Sequence, residues 1–415
     1  MSEPTIGPVP DPVPGDAPDA PAERVGWLPD VLPGFERHTL VLEPDFEGPV
    51  VATLVRRAHA VGEPLRVPDA GIDVLYVHGW TDYFFQTQLA DYWERRGARF
   101  VALDLRKYGR SIRGWQTPGF VTRLRTYDED IEAALAVIGH APDSRTTRRL
   151  VLMGHSTGGL VLSLWAAARP GRAHGLVLNS PWLEFQTRHV GRRMLEPGVR
   201  VQAALAPLSR LINLDQGFYV RSVSSRYDGA WDIDPAWRPD AGWRATPAWL
   251  SAIFRGHERV ARGLGLEVPV LVLLSTRFTP PVRWNDDMTR TDTVIDVVGV
   301  ARRSADLGNH VTIVRVEGAL HDVTLSAPEV RDVVWRETTR WLDAYVPPRP
   351  AAPAAPEPTL WHRVLRYLRT RARSRPFFRR RGKRRTPPQS GLTISSSSPA
   401  SSTNRSPDGV KPYLR

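Results

Sequence analysis

The stretch RRLVLMGHSTGGLVLSLW, Arg148 to Trp165, decides how the rest of the chain is read. Leu150 to Met153 has the apolar run of a short buried strand, and Leu160 to Ala168 has the Leu- and Ala-rich run of a helix. Six small or polar residues, Gly154 to Gly159, interrupt the two. A buried strand passing into a buried helix has no need of a serine with glycines two positions before and after it. A very sharp turn does need them: without Cβ at Gly154 and Gly158, the chain can hold Ser156 in a strained conformation with its hydroxyl above the strand end. The pattern Gly-x-Ser-x-Gly also occurs by chance in ordinary strand-to-helix turns, so the rest of the chain must carry the decision.

Outward from this stretch the periodicity alternates. RHTLVL (37–42) and VVATLVRRA (50–58) read as two strands joined by a turn, an antiparallel opening pair. IDVLYVHGW (72–80) is an apolar strand ending at Gly79, TQLADYWERRG (87–97) a helix and ARFVALDLR (98–106) the next strand. A helix over 123–139, the strand RRLVLMG (148–154), the helix after Ser156 and the strand HGLVLNSPW (174–182) continue the series. After a gap, VPVLVLLS (268–275) and HVTIVRVEG (310–318) resume it before a final helix from Pro328 to Tyr345. Strands alternating with helices predict an α/β fold, a mostly parallel sheet covered on both faces.

The gap, 186–267, reads as an inserted helical lid subdomain. It contains Trp231, Trp237, Trp243 and Trp249 at a spacing of six. Such aromatics form the core of a small helical unit or line an apolar pocket, and both uses are compatible here.

Composition sets the outer limits. Residues 1–33 are rich in Pro, Asp, Glu and Ala without hydrophobic periodicity, which predicts an unstructured segment before a folded domain at 34–346. Residues 347–358 read as a Pro/Ala linker, 359–385 as a basic segment and 386–415 as a polar, Ser-rich tail. The N-terminus lacks the basic and apolar regions of a secretory signal, and no run of 18 apolar residues is present, so a cytoplasmic protein is expected. With no cysteine, disulfides and thiolate metal sites are excluded. The net charge of +12 equals that of 359–385 alone, which holds eleven Arg, one Lys and no acid. The basic balance therefore says nothing about what the folded part binds.

Four short motifs now stand in order at strand ends: VHGW (77–80), DLRKYGRS (104–111), GHSTGG (154–159) and EGALHD (317–322). With them the chain resembles the α/β-hydrolase family, and within it the monoacylglycerol lipase, lysophospholipase and serine aminopeptidase S33 group, from about Phe35 to Tyr345. The resemblance implies a serine hydrolase that cleaves carboxylic esters, lipid-like ones such as a monoacylglycerol or lysophospholipid, through an acyl-enzyme.

Ser156 would be the nucleophile, and a serine hydroxyl needs a neighbouring base near neutral pH. His321, downstream of the nucleophile and just after a strand and its Gly318, is the candidate. A carboxylate must hold its tautomer, and Asp286, Asp287, Asp292 and Asp296 all fall between the preceding strand and His321. TDTVID (291–296) resembles the acid loop of the family and favours Asp292, while the long segment 276–290 keeps Asp286 and Asp287 open. Asp322 reads as a structural partner of the His loop. The oxyanion donors are backbone groups: the N–H of Thr157 after the nucleophile and, by resemblance, the N–H of Trp80. His78, His155, Asp104 and Arg106 read as loop-fixing residues. No metal or other cofactor is expected.

Three other readings compete. An aminopeptidase or amidase would share every motif and differ only in its pocket. A non-catalytic binding protein on the same scaffold would have lost the nucleophile, base or turn glycines, and all are present. An epoxide- or haloalkane-cleaving relative would carry Asp in place of Ser156. The basic segment adds one expectation: Thr359 to Arg373 places Leu360, Trp361, Val364, Leu365, Tyr367 and Leu368 on one helical arc and Arg363, Arg366, Arg369 and Arg373 opposite. That amphipathicity suits peripheral contact with an anionic membrane. Nucleic acid is the weaker reading, since the body has no nucleic-acid module and Arg enrichment runs through the whole chain. Sequence leaves the oligomeric state open.

Overall fold

A computed structural model describes residues 26–58, 69–185, 189–211 and 217–348, with the backbone alone for 189–194. The chain divides into two compact units, 1–353 and 354–415, and every described residue lies in the first. The linker beyond residue 348, the basic segment 359–385 and the tail 386–415 lie outside the described residues.

One nine-stranded sheet organises the unit. Its strands are β1 (Trp27–Pro29), β2 (Phe35–Asp45), β3 (Gly48–Arg57), β4 (Ile72–Val77), β5 (Arg99–Asp104), β6 (Arg149–His155), β7 (Gly175–Asn179), β8 (Val270–Ser275) and β9 (Val311–Val316). They lie in the order β1-β2-β3-β5-β4-β6-β7-β8-β9. β1, β2 and β3 pair antiparallel and β3 joins β5 antiparallel, while β5 through β9 run parallel.

Strands β4, β7 and β8 are buried at every residue, as the continuous apolar runs require of parallel strands covered on both faces. Helices α2 (Tyr127–Val137), α3 (Thr157–Ala168), α6 (Pro247–Ala261) and α7 (Val297–Ser304) contribute to the core on one face. Helices α1 (Thr87–Arg95) and α8 (Pro328–Tyr345) contribute to the core on the other. The remaining helices, α4 (His189–Leu205) and α5 (Phe218–Val223), lie between β7 and α6 in the chain.

One boundary differs from the sequence expectation. Strand β1 lies inside the segment expected to be unstructured through residue 33. The Asp30 carboxylate accepts from Arg110 Nε and Nη2 at 2.7 and 2.8 Å, and the Arg56 guanidinium lies 3.8 Å over the Trp27 ring. These partners are 80 and 29 residues away, so local composition could not reveal them.

A second feature concerns the segment 186–267, expected from the sequence as an inserted lid. Parallel neighbours β7 and β8 need a covering crossover helix, and α6 serves as it. Its Trp249, Ala252, Ile253 and Val260 are buried in the same core as Leu160 and Trp165 of α3. Thr246 caps it by accepting from the Trp249 N–H, with Pro247 in its first turn. Helix α6, within 186–267, is thus part of the main core.

A charge inside β4 tests the packing at the opposite end of the sheet. Asp73 is 2% exposed and accepts from Arg99 Nε (2.6 Å), Arg148 Nε (2.6 Å) and His140 Nε2 (2.8 Å). Burial would raise its pKa, but the three partners together hold it at about 2. A depressed carboxyl contributes stability that is present above its ordinary pKa of 3.8 and is lost as pH falls through about 2. Asp73→Asn should therefore lower unfolding free energy by roughly 2 kcal/mol at pH 7, the linkage value of a carboxyl lowered from 3.8 to about 2. Urea denaturation should show the gap to wild type narrowing as pH falls from 4 towards 2.

Candidate active site

Ser156 follows the C-terminal end of β6, with the loop after β4 and the end of β7 against it. Its backbone sits at φ 51° and ψ −116°, between β6 and α3. Few L-residues adopt this conformation, and neighbouring backbone fixes it here. Ser156 N–H donates to Asn179 O at 3.0 Å, and Ser156 O accepts from the N–H groups of Gly159 (3.1 Å) and Trp182 (2.9 Å).

The glycines are needed for space. A Cβ on Gly158 would lie 2.3 Å from His78 O and 2.4 Å from Val77 O, and one on Gly154 would lie 2.7 Å from Gly158 backbone. The loop after β4 thus rides directly on the turn: a Cβ on Gly79 would sit 3.0 Å from Ser156 Cβ. Among the described residues, neither Trp80 N–H nor Thr157 N–H has a hydrogen-bond partner.

His78 ties that loop down. Its Nε2 accepts from Leu105 N–H at 3.1 Å, so its Nδ1–H donates to Gly79 O at 2.7 Å. Burial lowers its pKa and keeps the ring neutral. Asp104, as expected, fixes the loop after β5, accepting from Phe84 N–H, Arg110 N–H and Arg110 Nη1. Arg106 is likewise buried against Asp130, at 2.6 Å.

Of the four aspartates in the acid window, only Asp292 reaches His321. Its Oδ2 lies 2.9 Å from His321 Nδ1, and its Oδ1 accepts from the N–H groups of Val294 and Ile295. The pair is 0% and 2% exposed. Asp286 is exposed, Asp287 pairs with Arg290 at 2.7 Å, and Asp296 caps α7. Among the described residues Ser156 Oγ makes no hydrogen bond to His321; the ring of His155, the residue before Ser156, meets that of His321 edge to face at 4.9 Å.

A second buried carboxylate lies beside the first pair. Asp322 accepts from Asn179 Nδ2 (2.6 Å), Thr324 Oγ1 (2.6 Å), Thr324 N–H (2.9 Å) and Gln86 Nε2 (3.2 Å). Burial opposes its charge, yet His155, Thr324 and Asn179 together hold its pKa below the ordinary value. Burial also depresses His155, against the pull of Asp322, and its Nδ1–H donates to Asn179 O at 3.2 Å. Asn179 therefore touches both halves of the site: its main chain supports Ser156, and its side chain holds Asp322 and the Val323 N–H. Sequence reading passed over Asn179, Gln86, Asp82, Tyr219 and Arg238. Only the Asn in NSPW, one residue beyond a strand's apolar run, carried a local signal.

Aromatic rings surround the turn. Trp80 packs on Trp249 at 3.8 Å between centroids and on Trp243 at 6.3 Å, and Trp182 lies 6.1 Å from Trp249. The four evenly spaced tryptophans thus divide: Trp243 and Trp249 face Trp80, while Trp237 packs on Tyr83 and Trp231 Nε1 donates to Leu325 O. Among the described residues, no group of three His, Asp or Glu side chains is arranged to hold a metal ion.

The model of the serine aminopeptidase S33 family matches residues 70–277, half of the chain. The chain belongs to this family of hydrolases. A family match that stops at 277 includes Trp80 and Ser156 but neither Asp292 nor His321, so their pairing is a finding of the geometry. A monoacylglycerol lipase of Mycolicibacterium smegmatis is 28% identical over 275 residues, 66% of this chain and 88% of that protein. Among solved structures, this S33 hydrolase is similar to the monoacylglycerol lipase of Paleococcus ferrophilus, with a TM-score of 0.52 at 21% identity over 67% of this chain and 96% of that one. It is also similar to a soluble variant of monoglyceride lipase from Saccharomyces cerevisiae, with a TM-score of 0.50 at 17% identity over 74% and 96%. The fold is that of the α/β-hydrolases.

Gly158→Ala is expected to disturb the turn more than any side-chain truncation around it, because the new methyl meets backbone carbonyls that cannot rotate away. A loss of roughly 3 kcal/mol, the upper end for overpacking, should appear as a lowered thermal midpoint. A variant as stable as wild type would show that the β4 loop does not rest on the turn.

Proposed function

We propose that the protein is a carboxylic ester hydrolase acting through an acyl-enzyme, with Ser156 as nucleophile, His321 as general base and acid, and Asp292 as the residue that orients it. The observation that carries this reading is the buried Asp292–His321 pair, whose imidazole meets the His155 ring immediately before a serine held at positive φ. In the proposed cycle Ser156 Oγ attacks the ester carbonyl carbon and His321 takes its proton. The tetrahedral oxyanion accepts from Trp80 N–H and Thr157 N–H, donors left without protein partners. His321 then returns the proton to the departing alkoxide, and water repeats the sequence on the acyl-enzyme.

The tryptophans around Trp80 favour an apolar acyl group, and the lipase relatives point the same way; a monoacylglycerol or a similar lipid ester is the proposed substrate class. A cover over the site, the expected role of 186–267, is supported by Trp243 and Trp249 of that segment packing on Trp80 and by Ser156 being only 7% exposed.

Ser156→Ala and His321→Ala should each lower ester turnover by about a millionfold, as in units where nucleophile and base act together. Asp292→Asn should lower it about ten-thousandfold, while Asp286→Asn and Asp287→Asn stay near wild type. The assay uses p-nitrophenyl esters of increasing chain length, a monoacylglycerol and amino-acid arylamides in parallel. Faster turnover of the arylamides would replace the esterase reading with an amidase, and fluorophosphonate labelling of Ser156→Ala would remove the nucleophile assignment.

A further inference from the structure

Described residues between β7 and α6 reach the His321 loop. Tyr219, in α5, stands edge to face on the His321 ring at 5.3 Å and 83° between planes. Its hydroxyl accepts the Asp322 N–H at 3.1 Å, the backbone amide immediately after His321. The Arg238 guanidinium lies 5.0 Å over the Tyr219 ring and 5.8 Å over Phe85, and its Nη1 donates to Asp82 Oδ1 at 3.0 Å. Asp82 lies two residues beyond Trp80, on the loop that rests on Ser156.

Arg238 and Asp82 are 4% and 3% exposed. An isolated buried ion pair is a poor source of stability, because desolvation offsets the attraction. It does fix geometry, since each charge has one acceptable place to be. The same loop is held by two further contacts from residues between β7 and α6: Trp243 N–H donates to Thr81 Oγ1 (3.1 Å), and Asp234 N–H donates to Tyr83 Oη (2.9 Å). Trp231 Nε1 holds the far end of the His loop at Leu325 O, at 2.7 Å.

We propose that Tyr219 is a positioning residue for His321, and that the Asp82–Arg238 pair registers Tyr219 against the loop carrying Trp80. This rests on His321 being the base. Tyr219 acts in two ways. Its ring blocks rotation of the imidazole out of the Asp292 plane, and its oxygen satisfies a buried amide that would otherwise pull the His loop out of register. Tyr219→Phe keeps the ring and removes the oxygen alone.

The test compares wild type, Tyr219→Phe, the double variant Asp82→Asn/Arg238→Gln, and Ser156→Ala, with active sites counted by exhaustive fluorophosphonate labelling. Turnover of p-nitrophenyl butyrate per labelled site should fall about tenfold in Tyr219→Phe with KM within about twofold, the scale of one buried donor left unpaired. The double variant, which removes both buried charges together, should reproduce that fall. A residue that merely stabilised the fold would lower the thermal midpoint or the number of labelled sites and leave turnover per site unchanged. Unchanged turnover per site in Tyr219→Phe overturns the proposal, and so does a raised KM at constant turnover. Labelling or hydrolysis retained by Ser156→Ala would instead overturn the proposed function, which separates the two failures.

Discussion

The backbone of Ser156 is held where an L-residue rarely goes, and the rest of the site is arranged around that constraint. Among the described residues four non-glycine residues have positive φ: Thr81, Lys107, Ser156 and Ser180. They follow the C-terminal ends of β4, β5, β6 and β7, the four adjacent strands at the centre of the sheet. Each costs on the order of 1–3 kcal/mol and persists only where its surroundings over-determine it. At Ser156 those surroundings are the Asn179 carbonyl, the Trp182 amide and a loop packed so closely that Gly158 has no room for a methyl. Strain and close approach are therefore one feature seen twice.

Electrostatics completes the arrangement by burying charges in pairs. Asp292 and Asp322 both lie beside His321 in the fold, yet their lone pairs are committed differently. Asp292 gives one oxygen to two backbone amides and the other to His321, which leaves the imidazole oriented. Asp322 gives its oxygens to Asn179, Thr324 and Gln86, and so ties the His loop to β7 and to the segment before α1. The neighbouring imidazoles His78 and His155 are held below their ordinary pKa by burial, which keeps positive charge away from the loop beside the nucleophile. A carboxylate next to the histidine in sequence is thus structural, and one 29 residues away is its partner.

Much of this was legible in the sequence by itself. The turn at Ser156 follows from glycines two positions either side of it. The buried strands follow from unbroken apolar runs, and the order of strands and helices from alternating periodicity. These are local properties, because periodicity of 2 or 3.6 and the freedom of glycine act over a few residues. The tertiary structure alone decided what depends on contacts between distant segments. Asp292 is separated from Asp286 and Asp287 only by which carboxylate reaches His321. Helix α6 serves as a crossover because β7 and β8 are neighbours. Trp27 and Asp30 are held by Arg56 and Arg110, and Asp82 with Arg238, Tyr219 with Asp322 and Asn179 with Asp322 meet across 103 to 156 residues of chain. No short window of sequence records such meetings, since burial of a charge or a ring is satisfied by whatever the fold brings opposite it.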